Sequence, residues 1–274
     1  MLPDVVKNLM IINVLMFLAT IAASNVFGYD LRDTLGLHMP GSDAFRPYQL
    51  ITYMFMHGSF SHIFFNMFAV WMFGSNIENI WGPKRFLVYY LLTGIGAAAL
   101  HYGILYVEML PDLEMMSAYT RNPSLETLNS MFDTFRFNGS IIDSYGLRAD
   151  FNEFKSSYDT LMRLPQDSQA LSQTASFMAS YKEAYLSAPN VVGASGSLFG
   201  ILLAFGMIFP NTLLFLIFFP IPIKAKYFVI GYGLIELFSG LQNNPGDNVA
   251  HFAHLGGMLF GFILIKFWKN KGVY

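Results

Sequence analysis

Apolar residues along this chain do not alternate with polar ones. They gather into six runs with short polar breaks, at 10–27, 61–80, 86–106, 195–209, 227–241 and 249–268. A helix rises 1.5 Å per residue, so about 20 apolar residues cross a hydrocarbon layer about 30 Å thick. Each run therefore predicts a membrane-spanning helix. The fourth and fifth are short; the 15 residues of 195–209 make a helix of about 22 Å. Such a helix, ending near Pro210 on one side, leaves its first residue several ångströms below the opposite surface.

Between the third and fourth runs the pattern changes. Residues 107–190 are too polar to span, and 124–135 and 167–186 carry amphipathic spacing behind Ser or Asp starts. They predict a small helical lobe outside the bilayer. The expected organisation is three spans in 1–106, an extramembrane insert at 107–190, and three more spans in 191–274. No internal repeat is visible.

Composition agrees. Hydrophobic residues make up 54% of the chain and charged residues 12%, against about 25% charged in a soluble domain. The first apolar run lacks a small-residue cleavage site and reads as a span, not a removable signal peptide. With no cysteine, disulfides and thiolate metal sites are excluded. No metal or cofactor is expected, and a net charge of −2 argues against a nucleic-acid partner. The insert holds 11 acidic and 6 basic residues, a net of −5. If six spans alternate, Lys7, Lys84, Arg85, Lys224, Lys226, Lys266, Lys269 and Lys271 share one side, and only Arg32 and Arg46 lie in the other side's short loops. The positive-inside rule then puts both termini in the cytoplasm and the insert outside, as expected for a bacterial inner membrane.

Polar groups inside spans are costly and mark function. The first cluster holds His57, His62 and Asn66; the last two are spaced i, i+4 and share a helix face. In the second, "GASGS", Ser195 stands between Gly193 and Gly196. It is not the Gly-x-Ser-x-Gly elbow of soluble hydrolases, because Ser197 occupies the final glycine position. The third holds His251, His254, Gly257 and Gly261. Gly257 and Gly261 lie at i+3 and i+7 from His254, and Gly196 and Gly200 form a matching pair beside Ser195. Such small-residue pairs let helices approach closely. Packing the two glycine faces together would bring Ser195 Oγ to the His254 imidazole, the minimum for an activated nucleophile. Asn66 and His62 offer N–H donors for an oxyanion.

Taken in order on these runs, His57-x4-His62-x3-Asn66, Gly193-Ala-Ser195-Gly196 and Ala253-His254-x2-Gly257-x3-Gly261 resemble the rhomboid intramembrane serine proteases. The resemblance implies an all-α, six-span bundle and a Ser195–His254 dyad that cleaves transmembrane substrates in the lipid bilayer. It also implies an oxyanion hole from Asn66, His62 and the Ser195 backbone N–H, and an aromatic ring, Phe199, packed on the catalytic imidazole. "PYQ" at 47–49 resembles the family's membrane-associated loop after the first span. The long 107–190 connection departs from the usual six-span form. No third acid is required by the family pattern and none is placed for it; Asp247 lies about two turns before His254.

Plainer readings compete. Ser195 alone reads as a helix cap, His62 and Asn66 as interhelical bridges, His57 as a loop-orienting residue and His251 as a rim residue. His38 and His101 show no chemistry. Glu78 is expected to cap or to pair with Lys84 or Arg85, and Glu236 to reach water or a hydroxyl. As whole-protein alternatives, a catalytically silent relative that binds or traffics client membrane proteins would be expected to lack a dyad residue. A midplane transporter would show inverted repeats, and "FFPIPIK" at 218–224 reads as a loop instead of a broken helix.

Overall fold

The computed structural model describes residues 2–216, 219–242 and 249–270; Asp247, Phe218 and Lys271 lie outside them. The chain divides into two compact units, one of Met1–Leu37, Arg46–Ile104 and Asn190–Tyr274, the other of His38–Phe45 and Leu105–Pro189.

The first unit opens with α1 (Asp4–Phe27), followed by the short α2 (Leu31–Leu35) and α3 (Gln49–Thr52). Helix α1 stops where Gly28 takes a left-handed φ of 63°, a conformation in which glycine has no Cβ penalty; Gly28 N–H donates to the Ser24 carbonyl and Tyr29 N–H to the Ala23 carbonyl. The second apolar run forms α4 (Phe60–Ala69) and α5 (Ser75–Trp81), joined by the π-turn Val70–Gly74. The buried Glu78 of α5 accepts from the N–H groups of Val5 and Val6, at 2.9 and 2.8 Å. It is thus a cap, as expected, but for the orphan donors at the start of α1. Arg85, offered as an alternative partner, lies over the Trp268 ring.

The third run begins α6 (Pro83–Arg121), which does not end at Tyr106 but continues through Pro111. Leu, Met and Glu are strong helix formers. Met109, Leu113 and Met116, spaced by four and three, are all buried, so the polar segment carries a helical stripe of its own.

Four more helices follow the same unit numbering: α7 (Leu125–Thr134), α8 (Gly139–Ser144), α9 (Arg148–Leu161) and α10 (Ser168–Ser187). These belong to the second unit. Ser124 and Asp167 accept from the Thr127 and Ala170 N–H groups, so the Ser and Asp starts are true N-caps. The apolar faces are buried on one another. Phe137 meets Phe135, Phe151, Phe154, Phe177 and Tyr181 edge to face, with centroids 4.8–5.6 Å apart, the favoured aromatic geometry.

The chain returns to the first unit as α11 (Ser195–Ile208), α12 (Ala225–Gln242) and α13 (His251–Asn270). Helix α11 is apolar all round and nearly all buried, from Gly196 to Gly206, the mark of a central helix. Tyr89 Oη donates to the Gly200 carbonyl and Ser197 Oγ to the Tyr90 carbonyl, both at 2.8 Å, tying α11 to α6. In contrast, Ile11, Leu15 and Leu18 of α1 and Ile230, Leu234 and Phe238 of α12 are exposed. Apolar faces of that extent suit lipid contact. Helices α1, α6 and α13 are long and apolar enough to cross a membrane; α11 is apolar but shorter.

One expectation fails between α11 and α12. Leu213–Leu216 pairs antiparallel with Phe219–Lys224, so the expected loop is a strand from Phe219 onward. Pro220 and Pro222 lack an N–H, which an edge of a two-stranded pair tolerates. A register shift between Leu214 and Leu216 marks the irregularity.

Candidate active site

Glycine geometry sets the first relation. A Cβ added to Gly257 would lie 1.8 Å from the Gly196 carbonyl oxygen, and one added to Gly261 would lie 3.3 Å from Gly200 Cα. The glycine faces of α13 and α11 therefore touch backbone to backbone. His254 lies one turn before Gly257 and Ser195 just before Gly196, so the same approach carries both side chains together. His254 Nε2 is 2.9 Å from Ser195 Oγ. Ser195 is the first residue of α11, where backbone N–H groups have no partner within the helix. Phe199, one turn later, stacks on the His254 ring with centroids 4.1 Å apart and planes 6° apart.

The opposite wall comes from α4 and the loop before it. Ser59 caps α4 by accepting from the His62 N–H at 3.2 Å, which fixes His62 in the first turn and Asn66 one turn on. Asn66 Nδ2 lies 3.1 Å from His57 Nε2; an amide nitrogen has two hydrogens, so one remains for another acceptor. His57 also meets the His62 ring edge-on at 4.9 Å. Gly193 joins the two walls. Its φ of +124° favours glycine, and a Cβ there would lie 2.8 Å from His62 Nε2 and 3.7 Å from Asn66 Nδ2. Its N–H donates to the Tyr53 carbonyl at 2.9 Å. Gly196, which packs on Ala97 as well as on α13, completes the set. Ser195, His254, Phe199, His62, Asn66, Gly193 and Gly196 line a cavity of about 780 Å³ that also takes in Phe65, Leu198, Leu202 and Tyr232. An apolar cleft with a few convergent polar groups is the ordinary form of a binding site.

A rhomboid-domain profile matches residues 44–110 and 169–270. The chain belongs to the rhomboid family. Both cavity walls fall inside the matched segments, and residues 111–168, most of the insert, fall outside them. No curated protein matches the chain. As a rhomboid-family protein with long apolar helices, it is an integral membrane protein.

Of the residues singled out from the sequence, His62, Asn66, Gly193, Ser195, Gly196, Phe199 and His254 line this cavity, His57 bonds Asn66 from behind, and Gly257 packs on Gly196. His38, by contrast, bonds the Ser187 carbonyl in the second unit through Nδ1 at 2.9 Å. Glu236 of α12, whose role the sequence left open, is buried, and its Oε2 lies 2.8 Å from His254 Nδ1 and 2.6 Å from His251 Nδ1. His251 accordingly is no bare rim residue. A carboxylate in an apolar run was a visible signal, and so were two histidines three apart on one helix face. Their pairing was not legible, because it joins two helices.

Proposed function

We propose that this rhomboid-family chain is an intramembrane serine endopeptidase, hydrolysing peptide bonds in or near the transmembrane segments of membrane-protein substrates. The observation that carries this reading is the 2.9 Å approach of His254 Nε2 to Ser195 Oγ on the wall of a largely apolar cavity. A silent relative that only binds clients has no need of that contact.

In this reading His254 takes the Ser195 hydroxyl proton as Oγ attacks the scissile carbonyl carbon. The carbonyl oxygen gains negative charge and is met by the free N–H of Asn66, by His62 and by the Ser195 backbone N–H. Collapse of the intermediate releases the amine fragment, which leaves with the proton held by His254. Water then attacks the acyl-enzyme by the same route in reverse, regenerating the hydroxyl and freeing a carboxylate. His57 holds Asn66 from behind, Phe199 supports the imidazole, and Gly193, Gly196, Gly257 and Gly261 permit the close approach. The proposed setting is a six-span bundle with cytoplasmic termini, with the cavity opening to the outer face and 107–190 on that side. There the acidic insert would influence which substrates gain access.

The test is co-expression with a panel of tagged single-span proteins, with fluorophosphonate labelling alongside. Wild type should cut at least one substrate and label; Ser195→Ala should do neither. Cleavage that persists in Ser195→Ala would overturn the assignment.

A further inference from the structure

A serine–histidine pair works only if the imidazole presents a lone pair to the hydroxyl. Imidazole has two neutral tautomers, and the wrong one aims an N–H at Ser195. Something must therefore fix the proton on Nδ1. In this chain a carboxylate stands at that position.

The atoms form a chain across three helices: Ser195 Oγ on α11, His254 on α13 and Glu236 on α12. The links are 2.9 Å from Oγ to Nε2 and 2.8 Å from Nδ1 to Oε2. An ionised carboxylate accepts and cannot donate, so the second link requires Nδ1–H on His254 and leaves Nε2 unprotonated toward the serine. His251 Nδ1 comes to the same oxygen at 2.6 Å. Two N–H donors thus meet one carboxylate of which only 6% of the side chain is exposed, and a buried charge needs such partners. The ring face is held separately by Phe199, whose nearly parallel plane fixes tilt but leaves the ring free to flip between tautomer-equivalent orientations. Stacking is indifferent to which nitrogen carries hydrogen; the carboxylate is not.

We propose that Glu236 is a positioning residue that holds His254 in the Nδ1–H form and steadies the imidazolium formed during turnover, making a Ser195–His254–Glu236 relay where the family pattern asks for two residues. This rests on the protease reading above. The carboxylate touches neither substrate nor the reacting atoms; it acts through His254. His251 shares the carboxylate and keeps it aimed.

The test uses the full chain reconstituted in lipid with a single-span substrate that wild type cleaves. Glu236→Gln keeps the shape but can offer an N–H to Nδ1, which would put the proton on Nε2. In a soluble triad the matching acid-to-amide change costs about 10⁴ in kcat. Here kcat should fall by about 10²-fold or more with KM within about twofold, because only the transition state uses the orientation. Wild-type kcat in Glu236→Gln, or a loss carried wholly by KM, would overturn the proposal. Should that variant aggregate, the wild type still answers. Magic-angle NMR on ¹⁵N-histidine-labelled protein, with His254 identified by its loss in His254→Ala, should report Nδ1–H; Nε2–H would overturn the proposal. The three ligand atoms lie within 4.8 Å of one another, so a divalent cation is the rival occupant, and wild-type turnover that a chelator alters would replace the relay with a metal. An inert wild type showing Nδ1–H would sink the protease reading alone and leave the carboxylate–imidazole pair standing.

Discussion

Replacing Gly257 with alanine adds one methyl group where the structure leaves no space. The new Cβ would sit 1.8 Å from the Gly196 carbonyl oxygen and 2.8 Å from its carbon, whereas real Cβ contacts essentially never fall below 3.0 Å. The obstacle is backbone, so no rotamer relieves it. Helices α11 and α13 must separate by about 1.2 Å, the difference between 1.8 and 3.0 Å. His254 rides one turn from Gly257 and Ser195 next to Gly196, and their 2.9 Å contact would open to about 4 Å, beyond the reach of a hydrogen bond. A displacement of about 1 Å at reacting groups can cost about 10² in rate. Overpacking of this kind also costs about 1–3 kcal/mol of stability. The assay is the second-order rate of fluorophosphonate labelling at Ser195, with thermal unfolding measured in the same detergent. Gly103→Ala is the control: it also lies in a helix, but its added Cβ has nothing within 4 Å. Labelling should fall by about 10²-fold in Gly257→Ala and stay level in the control. Wild-type labelling with an unchanged midpoint in Gly257→Ala would show that the glycine contact does not set the serine–histidine distance.

Two further outcomes are expected. Asn66→Ala should lower kcat by about 10–10³-fold with little change in KM, as loss of one oxyanion donor does in a soluble protease, and steady-state cleavage of a reconstituted substrate would show an unchanged kcat if Asn66 only braces His57. Outside the spans, the Arg32 guanidinium holds the Asp30 carboxyl below the usual carboxylate range; a depressed folded value adds stability that is present above the unfolded value near 3.9 and lost as pH falls through the lower folded one. The gap in unfolding midpoint between wild type and Asp30→Asn should therefore narrow only below about pH 4, and a gap that closes between pH 8 and 5 would assign the pair no such role.

The apolar runs foretold the helices closely because a buried or lipid-facing helix has one requirement, continuous apolar length, and that is written locally. The run at 195–209 became Ser195–Ile208, and the run at 249–268 became His251–Asn270. The glycine faces were also legible, since residues three and four apart share a face whatever surrounds them. Two misses near the runs have local causes. Helix α6 outlasts its apolar run because helix formers and a buried stripe continue past Tyr106 after the membrane signal stops. The strand at Phe219–Lys224 was hidden by its prolines, which read as loop until a partner strand supplies the bonds.

Glu236 shows the deeper limit. Its burial could be guessed from the apolar residues around it, but its partners belong to the next helix, and α12 and α13 are separated by a segment whose length fixes no rotational register between them. A spacing of 18 residues between Glu236 and His254 therefore says nothing about facing, unlike the spacing of three between His254 and Gly257. What the sequence did hold was a conflict: a carboxylate where hydrocarbon-facing residues belong, which is unstable unless something polar answers it. The only polar side chains the neighbouring run offers near that level are His251 and His254. Treating the cost of an unpaired buried charge as a constraint between helices, and asking which residues could discharge it, would have pointed to the imidazole that the serine also needs. In the proposed relay one histidine satisfies a buried acid on one edge and leaves a lone pair on the other, and no single helix could supply both neighbours.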